Sequence, residues 1–165
     1  MKRVLLGMSG GVDSSVSALL LKEMGYEVIG ITLELFAGSC CNIDTNTDAK
    51  NVCKTIGIPH ITYNLKEQFK CRVIDNFIDE YSKQRTPNPC IECNRYMKFG
   101  LMYEKAKELN CDYIATGHYA KMEYSEKYGR YVLKKSKNLA KDQSYVLYNL
   151  PKVYRLIPSN KKYID

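Results

Sequence analysis

The sequence lacks several features that would assign it to a common class. No apolar run is long enough to cross a membrane, and no small-residue cleavage site follows the basic N-terminus. Neither a membrane span nor a signal peptide is therefore predicted, and the cytoplasm is the expected compartment. There is no internal repeat and no low-complexity tract. A length of 165 residues, of which 45% are hydrophobic and 26% charged, suits one globular domain with a sizeable core.

Histidine is also scarce, since the chain has two, and its seven cysteines are odd in number. The spacing of Cys90 and Cys93 would suit half of a zinc site, but no second well-spaced pair exists. Cys40 and Cys41 are adjacent and form a poor chelating pair. Structural zinc is therefore not favoured, and reduced thiols are expected rather than a disulfide scaffold.

Acidic residues are scarce in the last part of the chain. Residues 1–120 carry 14 basic and 14 acidic side chains, whereas residues 121–165 carry 11 and 4, which accounts for the net charge of +7. The same segment holds seven of the 14 tyrosines. A basic, tyrosine-rich surface suits phosphate backbones and unstacked bases, and a solvated lysine-rich surface is the alternative interpretation.

A glycine loop at residues 9–15, Ser-Gly-Gly-Val-Asp-Ser-Ser, follows the first apolar segment. It joins a predicted strand over residues 4–7 to a predicted helix over residues 14–24. The backbone N–H groups at a helix N-terminus hold phosphate, and Asp13 could hold Mg²⁺ against it. No lysine follows the glycines, which excludes a Walker A loop, and the adjacent glycines exclude GxGxxG.

Strand and helix signals alternate along the chain, which predicts an α/β fold with a parallel sheet and right-handed crossovers. The predicted strands cover residues 4–7, 27–36, 59–64 and 112–116, and the predicted helices cover residues 14–24, 44–56, 65–83 and 94–109. A polar hairpin is predicted over residues 121–135 and a short helix over residues 141–149. Ligands bind beyond the carboxyl ends of such strands, so the glycine loop, Leu33 and Gly117 should border one crevice.

A second motif, Thr-Pro-Asn-Pro-Cys-Ile-Glu-Cys-Asn at residues 86–94, joins two predicted helices. Its prolines favour an extended approach, and Asn94 is predicted to cap the helix that follows. Cys93 would then lie beside a helix N-terminus, with Arg95 and Lys98 nearby, where the reactive thiolate is favoured. By itself the CxxC spacing fits a redox pair, half a zinc site or a pair of cluster ligands.

Four motifs in order resemble one known family. The glycine loop, TPNPCxxCN with Lys98-Phe99 after it, ATGHYA at residues 115–120 and KDQSY at residues 141–145 together resemble the tRNA-specific 2-thiouridylases. The similarity runs from residue 2 to about residue 150, whereas GMP and NAD synthetases share the loop but not the TPNPCxxCN or KDQSY segments. The resemblance implies a Rossmann-like PP-loop domain of the adenine nucleotide alpha hydrolase type. It also implies ATP and Mg²⁺ as cofactors.

The resemblance assigns roles to individual residues. The family's nucleophile falls on Cys93, and Cys90 stands where many members have a catalytic aspartate. The CxxC form also resembles relatives thought to hold an iron–sulfur cluster, for which Cys90 and Cys93 would be ligands. His118 is expected either to contact nucleotide or to hydrogen-bond within its turn.

The resemblance also places three sets of binding residues. The expected ATP contacts are Gly7, Met8, Ser9, Gly10, Gly11, Val12, Asp13, Ser14, Leu33 and Gly117. The target base is expected at Asn88, Pro89 and Cys90, and tRNA is expected at Lys141, Asp142 and Gln143.

The implied reaction adenylates O2 of the wobble uridine of tRNA and then transfers sulfur from a cysteine persulfide. Its partners would be the tRNA anticodon stem-loop and a sulfur-donating protein. Residues 1–120 are expected to form the ATP-binding catalytic domain and residues 121–165 a tRNA-contacting extension. The family also uses a second cysteine in a downstream Cys-Phe-Ile segment that these residues do not contain, so the chain is expected to supply the ATP-binding part. The alternatives are a non-catalytic tRNA- or nucleotide-binding remnant and an amidating PP-loop ligase.

Overall fold

A four-stranded parallel sheet forms the centre of the fold, as the alternating pattern predicts. The computed structural model describes residues 1–35 and 43–150, and of residues 43–45 only the backbone. The strands are β1 Arg3–Gly7, β2 Glu27–Glu34, β3 His60–Asn64 and β4 Tyr113–Ala115, in the order β3-β2-β1-β4. The last residue of the predicted second strand, residue 36, lies outside the described residues.

The centre of β1 is fully buried because helices cover both faces of the sheet. Val4 and Leu6 pack into one apolar cluster, whereas Leu5 packs into another, as the alternation of side chains along a strand requires. β2 and β3 lie on one side of β1, and β4 lies on the other. The chain therefore adds strands first on one side of β1 and then on the other. The carboxyl ends of β1 and β4 border the crevice that forms at such a reversal, where ligands bind in parallel sheets.

Four helical regions cover the sheet in the described part of the chain. Helix α1 is Val12–Glu23 and helix α2 is Ile43–Ile56. The third helix runs without a break through Lys66–Phe69, the π-helical stretch Lys70–Ile74 and Asp75–Ser82, which confirms the prediction over residues 65–83. The CxxC helix likewise runs through Pro89–Glu92, the π-helical stretch Cys93–Leu101 and Met102–Glu108. Among these helices none is long and apolar enough to span a bilayer.

The predicted hairpin is confirmed as strands β5 Ala120–Ser125 and β6 Arg130–Lys135, which pair antiparallel. Gly129 closes the turn with a φ of +58°, a conformation that suits glycine. Near the turn, Tyr124 and Tyr131 face each other with their ring centroids 5.4 Å apart. The hairpin therefore presents aromatic rings beside its basic side chains.

The predicted helix over residues 141–149 is wrong. Two short 3₁₀ turns, Leu139–Lys141 and Ser144–Val146, occupy this region instead. The Asp142 carboxylate accepts hydrogen bonds of 2.6 Å from the Ser136 N–H and from the Ser144 hydroxyl, and its ψ of 129° interrupts helical backbone. Polar contacts of this kind compete with the helix.

Candidate functional site

The glycine loop leads directly into α1, which begins at Val12, two residues earlier than predicted. Gly10 has a φ of +77°, where a residue with a Cβ would be strained. Gly11 is the N-cap and supplies no side-chain cap, so the first N–H groups of α1 are left for a ligand. Val12, Asp13 and Ser14 therefore present a helix N-terminus at the carboxyl end of β1, which suits an anionic group.

The loop is held in shape by its own serines. The Ser9 N–H donates to Ser14 Oγ at 3.3 Å, and the Ser14 hydroxyl donates to the Gly11 carbonyl at 3.0 Å. The Gly11 N–H in turn donates to Ser9 Oγ at 3.4 Å, and the Ser15 hydroxyl donates to the Gly11 carbonyl at 2.8 Å. The hydroxyl groups thus organise the loop and accept from the Ser9 and Gly11 N–H groups, so the first N–H groups of α1 remain the main donors toward a phosphate.

Two other predicted ATP contacts flank the loop in different ways. The Met8 side chain is buried in the core, so only its backbone borders the crevice. The register pairs Gly7 with Ile31, which places Leu33 beyond the end of β1. Leu33 packs against the apolar cluster of Leu35, Leu65, Val73 and Met97.

Gly117 approaches the first turn of α1 so closely that a Cβ at this position would be crowded against the α1 backbone. A Cβ at this position would lie 3.3 Å from both the Asp13 carbonyl carbon and the Ser14 nitrogen. At Gly7 a Cβ would meet the Met102 and Thr116 side chains at 3.6 Å and the Ala115 carbonyl oxygen at 3.8 Å, which are ordinary contact distances. The structure therefore places Gly7 and Gly117 beside the loop, but of the two only Gly117 would crowd the α1 backbone with a Cβ.

We expect Gly117→Ala to weaken ATP binding by roughly tenfold or more, because pushing the α1 backbone aside costs about 1–3 kcal/mol. Calorimetric titration with a non-hydrolysable ATP analogue measures this, and thermal unfolding shows whether the fold persists. Gly7→Ala is the matched control and is expected to keep the wild-type affinity within about threefold. Equal affinities for the two variants would contradict the steric argument.

Asp13 has a partner that the sequence analysis missed. The Tyr119 hydroxyl donates to Asp13 Oδ1 at 2.8 Å across a separation of 106 residues. Tyr119 belongs to ATGHYA, one of the four motifs that carry the family resemblance. That motif is the only feature of the sequence that could have indicated a role for Tyr119. Asp13 itself is exposed in the first turn of α1. A single carboxylate together with substrate phosphates is a common way of binding Mg²⁺, so Asp13 fits that role.

The CxxC helix begins at Pro89, and the prediction that Asn94 caps it is wrong. Asn88 is the N-cap, because its side chain accepts the Cys90 N–H at 3.0 Å, and Pro89 occupies the first helical position. Cys90 therefore lies in the first turn and is exposed, whereas Cys93 lies one turn further on and is half-buried. The helix N-terminus therefore lies at Cys90, and the expectation that it lies beside Cys93 is wrong.

Asn94 instead lies inside this helix and stabilises its first turn by a side-chain hydrogen bond. Its side chain is 3% exposed, and its Nδ2 donates to the Cys90 carbonyl at 2.8 Å. Its Oδ1 accepts no hydrogen bond within the residues that the structure describes. Cys93 packs against the same apolar cluster as Leu33, which brings the CxxC helix to the carboxyl end of β2. The predicted nucleophile and a predicted ATP contact thus share one side of the crevice.

His118 is partly buried beside the crevice and is uncharged at neutral pH. Burial, with the Lys98 charge as a smaller contribution, lowers its pKa to about 4. Its Nδ1 lies 2.8 Å from the Thr116 hydroxyl, and its ring centroid lies 5.9 Å from that of Phe99. The contact with Thr116 supports the expected hydrogen bond within the turn.

The segment of residues 141–143, the KDQ segment, lies against the turn that carries Tyr119. The Tyr119 N–H donates to Gln143 Oε1 at 2.9 Å, and the Gln143 N–H donates to the Tyr119 carbonyl at 2.8 Å. Lys141 Nζ lies 5.3 Å from the centroid of the Tyr119 ring, within cation–π range. On the adjoining hairpin, Lys121 and Lys134 hold the pKa of Glu123 at about 2. The surface beside the crevice is therefore basic and aromatic.

Metal ligands are few around the two cysteines. All five cysteines of the described ranges carry thiols, as expected. Within those ranges no three His, Cys, Asp or Glu side chains converge, so no third ligand joins Cys90 and Cys93 there. Cys40 and Cys41 lie outside the described residues. The described part of the chain thus supplies two ligands of the kind a cluster needs and does not by itself fit one.

The sheet order, the crevice at the carboxyl ends of β1 and β4, and the glycine loop define an α/β domain of the HUP class with a PP-loop. The chain belongs to the tRNA methyl transferase HUP domain family, whose sequence profile matches residues 2–156. It is 54% identical over 157 residues to the tRNA-specific 2-thiouridylase MnmA of Clostridioides difficile, covering 90% of this chain and 44% of that protein. The resemblance inferred from the four motifs is thereby confirmed.

Other relatives agree in length and identity. The tRNA-specific 2-thiouridylase MnmA 1 of Caldanaerobacter subterraneus is 54% identical over 158 residues, which cover 90% of this chain and 43% of that protein. The chain therefore spans less than half the length of the curated relatives it matches. A solved structure described as a predicted subunit of tRNA methyltransferase from Methanocaldococcus jannaschii is similar with a TM-score of 0.46 and 22% identity. That similarity covers 70% of this chain and 53% of the other.

Proposed function

We propose that this chain is the ATP-binding and base-activating part of a tRNA uridine 2-sulfurtransferase acting in the cytoplasm. In the reaction, O2 of the wobble uridine attacks the α-phosphate of ATP, the bond to the β-phosphate breaks, and pyrophosphate leaves. A persulfide sulfur then attacks C2 of the base, and AMP leaves with the former O2. The base is then joined to the cysteine through a sulfur–sulfur bond, which a second thiol must cleave to release the thiolated tRNA and form a disulfide with that cysteine. The names of the relatives, at 54% identity, support the substrate, and the glycine loop supports the nucleotide.

The loop geometry carries the nucleotide assignment. An uncapped helix N-terminus at the carboxyl end of β1 offers N–H donors to phosphate, and the close approach of Gly117 narrows the crevice beside it. Bound Mg²⁺ would offset negative charge on the phosphates, and Asp13 is the carboxylate placed to hold it. Gly10 and Gly11 keep side chains out of the phosphate position.

The CxxC helix is proposed to supply the sulfur chemistry. The target base would approach Asn88, Pro89 and the exposed Cys90, and the persulfide would form on Cys93. Cys93 borders the same side of the crevice as Leu33, which supports a place near the activated base. The base must leave its stack to reach this helix, as is usual for enzymes that act on bases. Lys141, Asp142 and Gln143, with the basic hairpin, would hold the tRNA backbone.

The family's description as a methyl transferase suggests a different reaction, which the loop disfavours. A methyl donor of the sulfonium type carries no phosphate for the loop to hold, whereas ATP does. The tRNA-binding remnant and the amidating ligase remain the competing functions. The remnant would bind nucleotide or tRNA without turnover, and the ligase would form AMP with ammonia and an acid.

We expect the chain to release pyrophosphate from ATP only when tRNA with an unmodified wobble uridine is present, and to release AMP only when a persulfide donor is also added. The measurement is a radiolabelled ATP assay with Mg²⁺, and tRNA carrying another base at the wobble position is the control. Binding of tRNA without release of pyrophosphate would favour the remnant. AMP formation with ammonia and a small acid, but not with tRNA, would favour the amidating ligase.

A further inference from the structure

Tyr119 stands between the glycine loop and the KDQ segment and contacts both. Its hydroxyl donates to Asp13 Oδ1 at 2.8 Å, and its ring lies under the Lys141 ammonium at 5.3 Å. Its N–H and its carbonyl are both paired with Gln143, at 2.9 and 2.8 Å. One residue therefore joins the proposed nucleotide site to the proposed RNA-contacting segment by four contacts.

The KDQ segment is itself rigidly held, so a displacement there would be passed to Tyr119. The Asp142 carboxylate accepts hydrogen bonds of 2.6 Å from the Ser136 N–H and the Ser144 hydroxyl. These bonds lower the pKa of Asp142, so it is charged at neutral pH. Asp142 is held by Ser136 and Ser144, and Gln143 is hydrogen-bonded to Tyr119. An RNA phosphate that draws the Lys141 ammonium away therefore removes a charge from the face of the Tyr119 ring.

At the other end, the hydroxyl sets the direction of the Asp13 carboxylate. A phenol bonded to a carboxylate is a charge-assisted hydrogen bond, which is stronger than a neutral one. It engages Oδ1 and so fixes the rotation of the carboxylate, which leaves Oδ2 aimed in one direction in the first turn of α1. A metal site that uses one protein carboxylate depends strongly on that direction.

We propose that Tyr119 is a positioning residue that aims the Asp13 carboxylate and couples RNA binding at the KDQ segment to binding of Mg²⁺ and ATP at the glycine loop. The proposal rests on the proposed function, since it takes ATP and RNA as the two ligands. Thermodynamic linkage requires the coupling to be reciprocal, so each ligand must raise the affinity for the other by the same factor.

The test uses Tyr119→Phe, which keeps the ring under Lys141 and the backbone bonds to Gln143 but removes the hydroxyl. Tyr113→Phe is the matched control. Tyr113 also has a hydroxyl hydrogen bond and a cation–π contact with one lysine, Lys2, at 2.8 and 5.1 Å, but it lies at the amino end of the sheet. Binding of a non-hydrolysable ATP analogue is titrated against Mg²⁺, and then repeated with a saturating anticodon stem-loop RNA.

In the wild-type chain we expect the RNA to raise the analogue affinity by about fivefold or more, the lower range of typical coupling. In Tyr119→Phe the factor should fall to about one, and several-fold more Mg²⁺ should be needed without RNA, while affinity for RNA alone is unchanged. Tyr113→Phe should match the wild type. Wild-type coupling in Tyr119→Phe, or two ligands that bind the wild type independently, would overturn the proposal. Because the analogue is not hydrolysed, failure of AMP formation is a separate result that concerns only the proposed function.

Discussion

Replacement of Cys93 by serine is expected to reduce sulfur transfer to tRNA by a factor on the order of 10³ or more, the scale seen when a catalytic nucleophile is removed. Serine cannot carry a persulfide, so the sulfur has no site on this helix from which to attack C2. The measurement follows ³⁵S from cysteine, through a cysteine desulfurase, into tRNA. Dithiothreitol is included to supply the thiol that cleaves the sulfur–sulfur bond after transfer.

Two controls separate loss of chemistry from loss of structure. Cys111→Ser changes another half-buried cysteine at the far end of the sheet, where its Sγ lies 3.9 Å from the Leu109 carbonyl, and is expected to retain transfer. Pyrophosphate release in a single turnover should survive in Cys93→Ser, because adenylation precedes sulfur attack. If Cys93→Ser still thiolates tRNA, or if it loses pyrophosphate release as well, the assigned role is wrong.

The exposed Cys90 is the other candidate for the cysteine that carries the persulfide. It lies in the first turn of the CxxC helix and is exposed, whereas Cys93 lies one turn further on and is half-buried. The same ³⁵S assay on Cys90→Ser therefore distinguishes the residue that carries sulfur from one that faces the base. A persulfide found on Cys90 would show that Cys90, and not Cys93, is the nucleophile.

The fold could be predicted from the sequence because its signals are local and repeated. Apolar Val4, Leu5 and Leu6 mark a buried strand, and glycines at positive φ, Gly25 and Gly57, end the two helices that follow. The start of the CxxC helix was also encoded locally, since Asn88 and Pro89 are a strong cap and first-position pair. The sequence nevertheless predicts a start five residues later, at residue 94, because two prolines close together favour extended backbone.

Other features could not be predicted because they depend on contacts distant in the sequence. Residues 141–149 have helix-forming side chains, but Asp142 and Gln143 bond to Ser136 and to Tyr119 instead. The bond between Asp13 and Tyr119 joins residues 106 positions apart, and no local pattern indicates it. The glycine loop was visible in the sequence, whereas the residue that orients its carboxylate was visible only in the fold.

Acid is expected to destabilise this chain between pH 6.5 and about 4 mainly through His118. In the folded state its pKa is about 4, whereas in the unfolded chain it returns to the ordinary value of about 6.5. The unfolded state thus binds the proton first as the pH falls, so the free energy of unfolding decreases across this window, by up to about 3 kcal/mol. Above pH 6.5 both states are neutral and His118 adds no pH dependence.

Urea unfolding of wild type and His118→Asn at several pH values from 7 to 4 measures this contribution. Asparagine keeps a polar atom near the Thr116 hydroxyl but does not titrate, so the variant should lose most of the slope, whatever its stability at pH 7. The chain has one other histidine, His60, whose pKa burial also lowers, and His60→Gln is the control that should keep most of the slope. An unchanged slope in His118→Asn would contradict the assignment.

The same titration should reach the candidate site. His118 follows Gly117, which packs against the first turn of α1, so the acid transition of the fold includes the candidate site. A ligand that binds only the folded state opposes the transition by an amount set by its concentration relative to its Kd. A saturating ATP analogue should therefore shift the acid transition to lower pH in the wild type. The shift should be smaller in Gly117→Ala, because this variant is expected to bind ATP more weakly. An equal shift in both chains would show that the close approach of Gly117 to the glycine loop does not contribute to ATP binding.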